Sequence, residues 1–183
     1  MIEQKHLLGD GSIGTSRVVH SFHFGVAGGR KVYVQAGLHA SELPGMLVCH
    51  YLRDMLSVEE SLGTLLGEVV VVPVANPIGL DQTILSYQMG RFDLASGENF
   101  NRRFPDLALV IASQLKDQFS SDAKANIELV RAALRQHLTK LSCQKQSDSL
   151  RVLLLRLACD ADIVLDLHCD CESVLHLYAH PLS

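Results

Sequence analysis

The chain has 183 residues, is 48% hydrophobic and 20% charged, and carries a formal charge of -4 at neutral pH. That length suits one domain with a substantial core, and the composition is that of a globular chain and excludes a disordered one. A pI of about 6.1 without a basic stripe argues against nucleic-acid binding, and no apolar run approaches the roughly 18 to 20 residues that span a bilayer. The opening MIEQKHLLGDGS has no apolar core and no small-residue cleavage site, so the expected location is the cytoplasm. Cys49, Cys143, Cys159, Cys169 and Cys171 are an odd, scattered set that fits reduced structural thiols. Cys169 and Cys171 stand too close together for a zinc knuckle.

In chain order, residues 17 to 26 (RVVHSFHFGV) place Val18, His20, Phe22, Phe24 and Val26 on one face at period two, which predicts a half-buried strand. Gly28 and Gly29 turn the chain into a second strand, KVYVQAG. Residues 43 to 58 predict a helix, with Leu43, Met46, Leu47, His50, Tyr51 and Met55 at helical spacing and Pro44 in the first turn, where its missing N–H is harmless. EVVVVPV reads as a strand covered on both faces. Residues 75 to 105 lose all periodicity, and loops of that length inside a compact domain are commonly functional. Helical pattern returns from about 107 to 140, with an interruption. CQKQSDS is a polar break with Ser147 or Asp148 as the candidate N-cap of a short helix through LRVLLLRLACD. ADIVLDLHCD predicts a further buried strand and SVLHLYAH an edge or neighbouring one. Strands alternating with helices predict an α/β fold: a three-layer α/β/α sandwich with a mixed, mostly parallel central sheet.

In such folds ligands gather at the carboxyl ends of the strands. Two chemistry-bearing stretches lie at such ends. GLHASELPG carries His39 and Glu42 where a strand gives way to a helix, and DLHCD ends a later strand with His168. Two imidazoles and one carboxylate are the ligand set of a catalytic zinc site whose fourth position is left to water. Asp166 and Asp170 are both candidates for orienting a ligand imidazole, Asp170 being the one that shares the loop. The plain alternative is that an H-x-x-E pair arises by chance and His168 is unrelated to it. In the long loop, GRFDLASGENFNRRFP offers Arg91, Asn101, Arg102 and Arg103 between Phe100 and Phe104; arginine forks and an amide suit a substrate carboxylate, although a solvated basic turn would look the same. Histidines 6, 20, 23, 50, 137, 176 and 180 read as surface or packed residues.

GLHASELPG, VVVVPVANPIGLDQ, GRFDLASGENFNRRFP and ADIVLDLHCD, arriving in that order over residues 31 to 178, resemble the succinylglutamate desuccinylase/aspartoacylase family of the zinc carboxypeptidase clan. The resemblance implies one zinc ion per chain held by His39, Glu42 and His168, a substrate carboxylate held by Asn101 and Arg102, and Arg91 near the substrate. It implies a hydrolase in which zinc-activated water attacks the amide of a small N-acyl amino acid or related carboxylate-bearing amide. No nucleic-acid or membrane partner is implied, and the oligomeric state is open. A metallocarboxypeptidase of the same clan and a metal-binding module without catalysis are the alternatives. One departure stands out. The family's general base is a glutamate on a later strand, whereas the only glutamate after His168 here is Glu172, four residues on, so the catalytic base is unassigned. Residues 1–183 are therefore expected to form the N-terminal part of a longer zinc hydrolase, truncated before the later strands and the C-terminal β domain, and inactive alone.

Overall fold

The computed structural model describes residues 1–9, 11–170 and 174–179. In chain order the elements are β1 (Ile2–Leu7), β2 (Val18–Gly25), β3 (Lys31–Ala36), α1 (Leu43–Leu62), β4 (Glu68–Val72), α2 (Pro77–Leu80), β5 (Thr83–Ile84), β6 (Tyr87–Gln88), α3 (Ala108–Leu115), α4 (Ala123–Lys140), α5 (Gln146–Ala158) and β7 (Ile163–Leu167). Five strands form one sheet in the order β1-β2-β4-β3-β7, and β5 and β6 make a separate small hairpin. β1 and β4 run antiparallel to β2, whereas β4 and β7 run parallel to β3. The sheet is mixed as expected, and its parallel half is the half that carries the site.

Alternation along the strands builds two cores. Val19, Tyr33, Val70 and Val72 turn to one face, where Leu150 and Leu154 of α5 meet them. Phe22, Phe24, Val34, Ala36 and Val71 turn to the other, against Cys49 and Leu56 of α1. This is the three-layer α/β/α sandwich, and it explains why EVVVVPV is apolar without a break: the strand is covered on both sides. Each such side chain taken fully out of water contributes about 1.5–3 kcal/mol. α3 and α4 pack on each other through Ile111, Leu115 and Ala133, and α4 also packs on α5.

Several elements differ from their sequence reading. β1 had no clear signal: nearly all its residues are exposed, so its pattern carries no buried face, yet it pairs with β2 along its whole length. α1 continues to Leu62, where Gly63 takes a left-handed conformation (φ 71°) and caps it. Of the expected face of α1, only Met46 packs against the core. Gly45, Cys49 and Leu56 meet the sheet, while Leu43, Leu47, Tyr51 and Met55 are 54–66% exposed, and Val58 and Leu62 continue that stripe. On the polar flank, Arg53 stacks on Phe22 of β2 at 3.5 Å and Glu60 accepts from the Gly25 N–H. At 100° per residue the stripe falls on the far flank, away from β2. α5 begins one residue before Ser147, and its N-cap position, Lys145, makes no side-chain cap bond. β7 is not buried. Its one neighbour among the described residues is β3, and Ile163, Val164 and Leu165 are 53%, 52% and 40% exposed. The described part of SVLHLYAH, residues 174–179, forms no strand, for no described strand pairs with it.

Candidate metal centre

The site is built where β3 ends. Gly37 (φ 70°) turns the chain, and a Cβ there would come within 2.3 Å of Met46. The turn that follows carries His39 and Glu42 to the start of α1, with the Glu42 N–H donating to the His39 carbonyl at 3.0 Å. Two braces hold it. The Asn76 amide donates to the Leu38 carbonyl at 2.9 Å, and the Ala40 N–H donates to the Gly90 carbonyl at 2.9 Å. The second brace needs a glycine: a Cβ on Gly90 would stand 2.2 Å from the Ser41 nitrogen. Gly79 lies behind Gly90 in the same stack, a Cβ there meeting the Gly90 oxygen at 2.9 Å. β7 runs parallel to β3 and delivers His168 to the same end of the sheet.

One ligand atom from each of His39, Glu42 and His168 can be chosen so that all lie within 4.8 Å of one another. His39 and Glu42 are buried, and 30% of the His168 side chain is accessible. The two imidazoles meet edge to face at 4.9 Å. His39 Nδ1 lies 3.0 Å from Glu42 Oε1 and His168 Nδ1 lies 2.9 Å from Oε2. The Cys169 N–H donates to the same Oε2 at 2.9 Å. Burial pushes the Glu42 carboxyl up, but the bonds from Cys169, His168 and His39 outweigh it and hold the group below the usual carboxylate value. On the outer side, His168 Nε2 lies 3.0 Å from the Asp166 carboxylate, and His39 Nε2 lies 2.9 Å from Asn99 Oδ1. Asp166 above all, with help from Glu42, raises the His168 pKa above the ordinary imidazole value against the opposing effect of burial. Asp166, two residues back on the strand, is thus the orienting carboxylate; Asp170 instead lies 4.0 Å from Arg91.

Every ring nitrogen of both histidines therefore faces an oxygen acceptor. A neutral imidazole has one proton to give, so each ring must either carry a second proton or meet a cation with its other lone pair. The inner nitrogens and the Glu42 carboxylate converge. This donor set, two imidazoles and a carboxylate with their outer nitrogens already held, fits a zinc ion.

The remaining expected residues lie around this centre at different distances. Arg91 donates to Glu42 Oε1 at 3.1 Å, and Asn101 Nδ2 is 3.4 Å from His168 Nε2. Arg102 is exposed and folds back on its own loop, donating to the Asn101 carbonyl at 2.7 Å. Arg103 turns away to Glu98. Sequence reasoning missed Asn99, whose signal was its position two residues before Asn101 in the same NFNRR run. Glu172, Cys171 and His180 lie outside the described residues. His6 and His23 belong to a packed polar chain, both bonded to buried Ser21, with His23 also on Glu68.

The family model of the succinylglutamate desuccinylase/aspartoacylase catalytic domain matches residues 28–182. Among solved structures, the chain is similar to a succinylglutamate desuccinylase/aspartoacylase family protein of Shewanella amazonensis SB2B, at 30% identity and a TM-score of 0.78, covering 93% of this chain and 47% of that one. A Shewanella frigidimarina NCIMB 400 protein of the same description aligns at 26% identity and a TM-score of 0.78, over 92% of this chain and 46% of that one. An aspartoacylase family protein of Mesorhizobium loti shares the fold at 20% identity, with a TM-score of 0.51, over 91% of this chain and 40% of that one. The chain spans about half the length of these relatives. No curated protein matches it.

Proposed function

Because the chain belongs to the succinylglutamate desuccinylase/aspartoacylase family, we propose that it forms the zinc-binding part of a cytoplasmic hydrolase that cleaves the amide bond of small N-acyl amino acids or related carboxylate-bearing amides. The observation that carries this reading is the convergence of His39, Glu42 and His168 within 4.8 Å, with Arg91 and Asn101 at the rim. One zinc ion per chain, held by those three, would supply a Lewis acid that polarises a carbonyl and makes water acidic. The chain's own groups do the rest of the recognition. Asn101 presents its amide beside His168, and Arg102, exposed and next to it on the same loop, completes the pair that would hold the substrate carboxylate. Arg91 lies against Glu42 and sets the charge on the near side of the cleft.

We assign the proton-accepting group of the reaction to further chain that completes the sheet beyond β7. The exposed apolar residues of β7 and the Leu47–Tyr51–Met55 stripe of α1 favour this arrangement, because a bare strand edge beside an apolar helix flank is a surface that strands and helices cover. Residues 1–183 by themselves are expected to self-associate and to bind a hydrophobic dye, and Leu47→Lys with Met55→Lys should suppress both. A monodisperse monomer that leaves the dye dark would remove this part of the reading.

The direct test is turnover. The complete gene product with zinc should release acid from N-acetyl or N-succinyl amino acids and leave C-terminal peptide bonds intact; the opposite preference would make it a carboxypeptidase, and no turnover of either would leave a metal-binding module. Arg102→Ala should weaken binding of an N-acyl amino acid about 10- to 100-fold, the usual worth of a charged hydrogen bond, at unchanged zinc content. Unaltered affinity would take Arg102 out of the clamp.

A further inference from the structure

We propose that Asn99 is the positioning residue for His39: its side-chain oxygen takes the Nε2 proton, so that Nδ1 is the nitrogen offered to the ion. The inference rests on the zinc reading above and adds a residue that the ligand pattern does not contain.

The orientation of the Asn99 amide is decided by its surroundings. The Asn101 N–H donates to Asn99 Oδ1 at 2.8 Å, and a backbone N–H has no use for an NH2 group, so oxygen occupies that position. The same oxygen lies 2.9 Å from His39 Nε2. An amide oxygen only accepts, hence Nε2 carries the hydrogen and Nδ1, 3.0 Å from Glu42, is left with its lone pair turned inward.

Asn99 is itself well held. The Arg102 N–H donates to its carbonyl at 3.1 Å. The buried Arg151 guanidinium, reaching across from α5, bonds both that carbonyl and Glu98 at 3.4 Å. Its other arm bonds Asp148 at 3.0 Å. The loop that carries the expected carboxylate clamp is thus the same loop that fixes the first imidazole, with one residue, Phe100, between Asn99 and Asn101.

The pair of histidines is also unequal. His168 gives its outer proton to a carboxylate, Asp166, whereas His39 gives its proton to a neutral amide. A carboxylate acceptor makes an imidazole a stronger donor to metal, an amide does so less, and both fix the ring orientation. Asn99 therefore supplies geometry without adding a third negative charge to a centre that already holds Glu42 and Asp166.

The test uses Asn99→Leu, which keeps the shape and removes the acceptor, and Asn99→Asp, which keeps the acceptor. Zinc affinity is read by competition with a chelating dye, and the zinc-loaded proteins are examined by 1H–15N NMR of the imidazoles. The wild type should show a slowly exchanging His39 Nε2–H proton with Nδ1 on the metal. Asn99→Leu should lose that protected proton and bind zinc about 10- to 100-fold more weakly. Asn99→Asp should keep the proton and bind at least as tightly as the wild type. Zinc binding in Asn99→Leu within twofold of wild type, or an unchanged imidazole signal, would overturn the positioning role while leaving the metal centre in place. A wild-type protein that takes up no zinc would instead overturn the functional reading on which the inference rests.

Discussion

A Glu42→Gln protein is expected to emerge from purification without zinc, where the wild type carries about one ion per chain by elemental mass spectrometry. The substitution keeps the size of the side chain and an oxygen for the Cys169 N–H, so the turn has no steric reason to move. What it takes away is the negative charge on which His39 and His168 converge. Removing the anionic partner from a buried cluster costs about 3–5 kcal/mol, which is roughly 100-fold or more in affinity. Stoichiometric zinc in Glu42→Gln, with circular dichroism unchanged, would mean that the ion sits elsewhere.

The second large effect belongs to a residue with no side chain. Gly90→Ala places a methyl group 2.2 Å from the Ser41 nitrogen and 2.6 Å from the Ala40 carbonyl carbon. Those atoms are backbone and have no rotamer by which to yield. The loop must therefore lift off the His39–Glu42 turn, breaking the Ala40 to Gly90 hydrogen bond. Overpacking of this kind costs about 1–3 kcal/mol or more, read as a fall in the denaturation midpoint, and zinc binding should weaken together with it. An alanine variant as stable as the wild type would show that the loop is free to move. Gly97→Ala is the control: its Cβ meets nothing within 4 Å, so the only strain it brings is its left-handed φ of 72°.

The parts that sequence could give are those governed by local pattern. The valine run of β4, the extent of β2 and the proline start of α1 are each readable within a few residues and appear where expected. β2 is nevertheless buried on both faces, at Val19 and Ser21 as well as at Phe22 and Phe24, and Val26 lies outside it. The strand-end positions of His39, Glu42 and His168 were readable too, and their side chains do converge. The failures of the fold reading concern which neighbour covers a surface. Leu43, Leu47, Tyr51 and Met55 satisfy helical spacing as well as Gly45, Cys49 and Leu56 do, and only the sheet decides between them. Ile163, Val164 and Leu165 look buried because they are apolar, but a strand at the edge has one flank. Asp166 was set behind Asp170 because only Asp170 shares the loop of His168, whereas residues two apart at a strand end face the same way and Asp166 meets the ring at 3.0 Å. Asn99 carried no charge to attract notice.

The bond between His168 and Glu42 joins residues 126 positions apart in the chain. An ion gripping both would act as a clasp on a loop of that length, which includes α1, β4 and all the helices that follow. Closing so long a loop is entropically slow and belongs late in folding. The clasp would also fasten the edge strand that has the fewest other reasons to stay. Metal supply would then govern how long β7 remains docked, since anything that binds the folded form alone stabilises it in proportion to the logarithm of its concentration.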